Sequence, residues 1–308
     1  MLAIVCPGQG AQSPGMLSPW LELPSLADSV ATMSDAAEVD LRYLGTEADA
    51  AAIKDTANAQ PLIVAASLLS FGAVFGEDSS AVGVAAGHSV GELAAAAVAG
   101  TLDATDALRL VGARGRAMAA AAAVTPTGMS AVVGGDPEEV LETLREHGLT
   151  PANVNGGGQV VAAGTLPQLE ALMANPPARA RVIALQVAGA FHTVHMEPAV
   201  EQVQQAAATI TPSDPTPVLL SNADGAAVTS GTDALARIVA QVARPVRWDL
   251  TCQTMLELGV TGLIELAPAG VLTGLARRAL AGVQTLALKS PDQLDDARAM
   301  AREHGAAR

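Results

Sequence analysis

Aromatic residues make up only 2% of the 308-residue chain: three Phe, two Trp and one Tyr. A core must therefore be filled mostly by Ala, Val and Leu, which suits helices packed tightly on a parallel sheet. Cysteine is equally scarce. Cys6 and Cys252 are too few for a disulfide framework and show no metal-ligand spacing, so two reduced thiols in a cytosolic protein are expected. Basic residues are outnumbered, 17 against 31 acidic, and the formal charge is -14. That balance excludes broad nucleic-acid binding and attraction to an anionic membrane, both of which need clustered Lys and Arg. It leaves room for a small anionic substrate, which one or two arginines can hold. No G-x-G-x-x-G dinucleotide fingerprint follows the first apolar run.

Long membrane-type runs are also lacking. Met1–Cys6 is apolar but short, has no basic leader and stops at Pro7, so it reads as a buried strand and not a signal peptide. The Ala-rich runs around Ser89 and Ala119 are too short, or are interrupted by Arg and Glu, to span a bilayer. Half of the chain is apolar and 16% is charged, so a sizeable core is available. A soluble, cytoplasmic, monomeric protein is expected, with no nucleic-acid or membrane partner.

The present residues alternate between strand and helix patterns. Apolar runs at 2–6, 81–86, 218–221, 261–266 and 283–288 read as buried strands. Helical patterns fall at 25–37, 59–75, 90–99 and 103–122, then at 196–208, 233–242, 252–258 and 271–280. This order predicts an α/β fold with a mainly parallel sheet covered on both faces. The segment 127–188 differs. It reads as strand 129–133, a helix capped by Asp136 and Pro137, strands 150–155 and 159–163, helix 166–174 and strand 181–187. That βαββαβ order is the split pattern of a ferredoxin-like domain, here inserted between 1–126 and 189–308. The polar tail beyond Pro291 is expected to fray.

Gly87-His88-Ser89-Val90-Gly91 matches the G-x-S-x-G nucleophile elbow, after an apolar strand and before an Ala-rich helix. A nucleophile on so sharp a turn needs small neighbours, because side chains there would strike the adjoining strand and helix. The gain is an exposed hydroxyl at the positive end of a helix, beside a free backbone N–H. The alternative is a structural Gly-Ser turn.

Serine needs a base. Of five histidines, His147 and His304 read as surface residues, and His88 as a structural neighbour whose ring points away. His192 and His195 share a loop where the chain returns from the small domain, and spacing alone does not choose between them. Arg109, Arg114 and Arg116 share one helix, and each alone is most simply a solvated charge.

Further stretches make the pattern specific: Pro7-Gly8-Gln9-Gly10-Ala11-Gln12, Gly87 through Glu92, Arg114 through Met118, and Asn155 through Gly164. Gly189-Ala190-Phe191-His192, Pro245-Val246-Arg247-Trp248 and Val271 through Leu275 complete it. In these stretches, and over nearly its whole length, the chain resembles the malonyl-CoA:acyl carrier protein transacylases. The resemblance implies an α/β-hydrolase-like core with a ferredoxin-like insert. It also implies transfer of malonyl from malonyl-CoA to the phosphopantetheine thiol of acyl carrier protein, through a malonyl-serine. CoA and phosphopantetheine would be substrate groups, with no cofactor or metal.

By resemblance Ser89 is the nucleophile and His192 the base, which demotes His195. Gln9 and Val90 supply oxyanion N–H groups, Arg114 holds the malonyl carboxylate, and the Gln241 carbonyl orients the histidine. Gln60 and Asn155 line the pocket. Phe191, before the histidine, resembles the malonyl-type motif that crowds an α-methyl branch. An acidic carrier protein would need a local basic patch, and Arg277 and Arg278 are one candidate. A free-standing acyltransferase of a polyketide pathway would share this chemistry. A serine hydrolase would require an acid between Ser89 and His192, where Asp136 lies in the wrong domain. A silent carrier-binding scaffold would have no use for the Ser, His, Arg and Gln set.

Overall fold

A computed structural model describes residues 1–305, and residues 306–308, the end of the expected 189–308 segment, lie outside it. The first half contains β1 (Leu2–Cys6), α1 (Ser18–Leu21), α2 (Pro24–Ala37), α3 (Leu41–Thr46) and α4 (Thr56–Phe75). It continues with β2 (Val82–Gly87), α5 (Gly91–Val98) and α6 (Ala104–Ala122). Then come β3 (Thr127–Gly134), α7 (Pro137–Glu146), β4 (Thr150–Gly156), β5 (Gln159–Thr165), α8 (Leu166–Ala174) and β6 (Ala180–Ala184). The remainder comprises α9 (Glu197–Ala207), β7 (Val218–Leu220), β8 (Ala227–Val228), α10 (Gly231–Gln241), β9 (Val246–Arg247) and α11 (Trp248–Glu257). It closes with β10 (Gly262–Glu265), α12 (Val271–Ala279), β11 (Gln284–Ala287) and α13 (Leu294–His304).

The large sheet runs β11-β10-β1-β2-β7-β8, parallel throughout except for the last pair. The central strands β1, β2 and β10 are buried on both faces, as their unbroken apolar sequences require. Ala3, Val5, Val84 and Ala86 pack on one side with Trp248, Met255 and Leu272. Leu2, Ile4, Cys6 and Ala85 pack on the other with α4, α5 and α6. The alternation is that of adjacent residues on a pleated strand. α4 is long and apolar enough to cross a membrane, but 67% of its apolar window is buried inside this protein. Its neighbours are α5 and α6, so it is a core helix here.

The small sheet takes β3 to β6 in the order β6-β3-β5-β4, antiparallel at each step. α7 and α8 cover one face through Val140, Leu144, Leu169 and Leu172. A fifth strand joins it from the other segment: β9 pairs parallel with β4, Asn153 opposite Val246. The sequence shows no strand signal at Val246–Arg247, because two residues are too few for a pattern. The inserted unit is therefore stitched to the main body at β4.

The tail departs from expectation. Leu294–His304 form α13, with Ala297, Met300 and Ala301 buried at helical spacing. Asp295 and Asp296 sit in its first turn and Arg302 and His304 in its last, which suits the helix dipole. His304 is not a free surface residue. Its ring bonds Thr261 and Gln284 at 2.9 and 3.0 Å.

Candidate active site

Parallel strands gather their carboxyl ends at one edge of the sheet, and sites form there. Cys6, Gly87 and Glu265 end β1, β2 and β10 side by side. The elbow follows β2. Ser89 holds φ at 54°, in the left-handed region that costs a side-chain-bearing residue strain. Its glycines are obligatory. A Cβ at Gly87 would lie 2.0 Å from the Gly91 carbonyl carbon, and one at Gly91 would lie 2.2 Å from the Cys6 carbonyl oxygen. Backbone on both sides leaves nothing that can yield.

Asn222, fully buried after β7, clamps the turn with both ends of its amide. Its Oδ1 accepts from the Ser89 N–H at 2.8 Å, and its Nδ2 donates to the Gly87 carbonyl at 2.7 Å. The sequence reading missed Asn222. Its only signal was a polar residue just past the end of a short apolar strand.

His192 is buried and also adopts positive φ, at 63°. Its Nε2 lies 2.7 Å from Ser89 Oγ, and its Nδ1 lies 2.8 Å from the Gln241 carbonyl. A carbonyl only accepts, so Nδ1 carries the proton and Nε2 is free to take one from the serine. The backbone carbonyl occupies the place of a triad carboxylate. Burial, helped by the Arg114 charge, lowers the His192 pKa to about 3. His195 sits on the following turn, away from Ser89, with its backbone N–H on Thr193.

The Val90 and Gln9 N–H groups have no hydrogen-bond acceptor among the described residues. Val90 caps α5, at the positive end of its dipole. The Gln9 side chain reaches the Lys54 carbonyl and Thr56 Oγ1, both at 3.4 Å.

A cavity of about 200 Å³ opens over Ser89, between the main sheet edge and the open face of the small sheet. Ser89, His192, Gln9 and Phe191 line it from one side, Met129, Asn155 and Val161 from the other. Val271, Leu272 and Leu275 of α12 form a third wall. The buried Glu265 carboxylate fixes that helix by accepting from the N–H groups of Gly270, Leu272 and Thr273 at 2.8–2.9 Å. Arg277 and Arg278 lie in its last turn.

His88 does not point away. It lines the cavity, bonds Asn155 Oδ1 at 2.8 Å and meets the Trp248 ring edge-on. Asn155 in turn donates to Gln159 at 2.8 Å. The elbow constrains the His88 backbone, while the small sheet supplies the partner that turns its ring inward.

Arg114 and Gln60 are not part of the cavity wall. The guanidinium is 1% exposed and lies behind the wall, donating to Gln60 Oε1 at 2.6 Å and to Gln241 Oε1 at 2.9 Å. Burial lowers its pKa to about 10, so it stays charged at neutrality. Arg109 and Arg116 instead pair with Asp106 and Glu38 at the surface. Glu92, also buried, accepts from the Asn222 N–H at 2.6 Å and from Gln241 Nε2. Burial raises its pKa to about 7, against the pull of Asn222 and Arg114.

The family model described as an acyl transferase domain matches residues 3–300. The chain belongs to the acyl transferase family. A malonyl CoA-acyl carrier protein transacylase of Mycobacterium tuberculosis is 53% identical over 302 residues, covering 96% of this chain and 99% of the relative. The crystal structure of the MCAT from Mycobacterium tuberculosis superposes with a TM-score of 0.92 at 53% identity, over 97% of this chain and 99% of that one. A malonyl-transacylase in complex with a type II PKS acyl-carrier protein superposes at 0.89 with 30% identity, again over 97% and 99%. This acyl transferase thus shares with those enzymes both the parallel-sheet architecture and near full-length coverage.

Proposed function

We propose that the protein transfers a malonyl group from malonyl-CoA to the phosphopantetheine thiol of an acyl carrier protein. The observation that carries this reading is a buried guanidinium beside a serine-histidine pair. Arg114 hydrogen-bonds two neutral amide oxygens and no carboxylate among the described residues. A buried cation bonded only to neutral groups suits a substrate that brings its own carboxylate. The similar malonyl CoA-acyl carrier protein transacylases point to the same donor and acceptor.

His192 Nε2 takes the Ser89 proton as Oγ attacks the thioester carbonyl. The oxyanion is held by the Gln9 and Val90 N–H groups. The tetrahedral species collapses to malonyl-Ser89, and His192 returns its proton to the departing CoA sulfur. The carrier thiol then enters the same cavity, gives its proton to His192, and attacks the ester. Ser89 leaves and recovers the proton. CoA and phosphopantetheine are substrate groups, and no resident cofactor takes part. A monomer is part of this proposal. We place it in the cytoplasm, where CoA thioesters and carrier protein meet.

Met129, Val161, Leu185 and Val187 make the cavity walls largely apolar, which favours a thiol over water. The test is partition of the malonyl-enzyme between holo carrier protein and water. Transfer is expected to outrun hydrolysis. Hydrolysis that dominates with carrier protein present would make the protein an esterase and overturn the reading.

A further inference from the structure

Gln241 has two roles that use different atoms. Its backbone carbonyl orients His192. Its side-chain amide lies between two buried, oppositely charged groups. Oε1 accepts from Arg114 at 2.9 Å, and Nε2 donates to Glu92. Guanidinium only donates and carboxylate only accepts, so the orientation of the amide is dictated by its neighbours. Nε2 also reaches the Ser89 carbonyl at 3.2 Å and Asn222 Oδ1 at 3.1 Å, which pins it to the elbow. Gln60 holds the other arm of the guanidinium.

We propose that the Gln241 side chain is a spacer that keeps Arg114 from collapsing onto Glu92, and so leaves the guanidinium paired only with amide oxygens that a substrate carboxylate can displace. The inference rests on the reading of Arg114 as the malonyl clamp and deepens it. Buried opposite charges attract strongly, and a carboxylate matches the guanidinium fork in a bidentate way. A direct Arg114–Glu92 pair would therefore occupy the donors that malonyl needs. The amide satisfies both ions with neutral atoms. A substrate carboxylate can replace an amide oxygen on Arg114 with gain, whereas it would have to compete with Glu92 on equal terms. Near neutral pH a substantial share of Glu92 is ionised and Arg114 is charged, so the competition is present under working conditions. Gln241 is thus a positioning residue that sets acyl selectivity.

The test is single-turnover acylation of the full chain by malonyl-CoA and acetyl-CoA, read as the ratio of the two rates. Gln241→Met keeps the backbone carbonyl and the side-chain length but removes the amide. Both rates are expected to fall, malonyl by about ten-fold more than acetyl, the size of one lost charge-assisted contact. The double variant Glu92→Gln/Gln241→Met is expected to bring the ratio back toward the native value, because no carboxylate remains to capture Arg114. Equal losses for both donors in Gln241→Met, or no recovery in the double variant, would overturn the proposal. Arg114→Ala runs alongside. A native ratio in Arg114→Ala means that the clamp reading itself has failed. A collapsed ratio there, with a native ratio in Gln241→Met, refutes the spacer alone. If Gln241→Met does not fold, Glu92→Gln decides: a ratio at or above native supports the spacer, and a ten-fold fall contradicts it.

Discussion

Acylation of Ser89 is expected to survive acid far below the range in which histidines ordinarily titrate. His192 is buried, faces the Arg114 charge and donates Nδ1–H to a neutral carbonyl, and its pKa falls from 6.5 to about 3. At pH 5 an ordinary histidine would be neutral in only about 3% of molecules, and the rate would drop about thirty-fold. With the lowered value about 99% of the base stays neutral, and the His192 step stays flat from pH 8 to pH 5. Acetyl-CoA is the donor of choice. It lacks the carboxylate that engages Arg114, so titration of Glu92 weighs less on the result. Rapid-quench acylation with mass detection gives the rate, and imidazole proton resonances give the titration directly, since the chain has five histidines. A ten-fold or greater loss by pH 5, with the His192 resonance titrating near 6.5, would show that burial and Arg114 do not hold the ring neutral. Bulk stability is a poorer readout. The depressed His192 value gives stability that is present above pH 6.5 and lost as pH falls toward 3. The raised Glu92 value acts oppositely: its contribution is present below pH 4.5 and weakens as pH rises through about 7.

Other consequences are as direct. Gly91→Ala places a Cβ 2.2 Å from the Cys6 carbonyl oxygen, and chemical denaturation should show a loss of at least about 1–3 kcal/mol together with slower acylation. Asn222→Ala leaves the Ser89 N–H and the Gly87 carbonyl unpaired, each worth about 1–3 kcal/mol, so acylation should fall even where the variant remains folded. Phe191→Ser opens the cavity wall beside His192, and methylmalonyl-CoA acylation should rise by about ten-fold relative to malonyl. No relative gain would remove Phe191 from specificity.

Much of the site was legible because its chemistry has short-range rules. The elbow reads from five residues since two backbone clashes dictate two glycines. Long apolar runs mark five of the six strands of the large sheet, all but the two-residue β8, and turn chemistry marks β3 to β6 of the small one. What escaped was long-range or brief. β9 is two residues long, and α1 and α3 are short helices. α13 reads as a frayed tail in sequence because its buried face is only Ala297, Met300 and Ala301, and only packing against α4 makes them a core face. Asn222 and the inward turn of His88 depend on partners over sixty residues away. Arg114 is the instructive case. Helix position alone favours a surface charge, as Arg109 and Arg116 are. Only tertiary packing buries it between Gln60 and Gln241.

Ser89 carries the acyl group between two thiols, and intact-mass analysis with peptide mapping after incubation with malonyl-CoA reads this step itself. One malonyl adduct is expected on the peptide containing Ser89, discharged by holo carrier protein and absent from Ser89→Ala. An adduct at another residue, or malonyl transfer retained by Ser89→Ala, would contradict it.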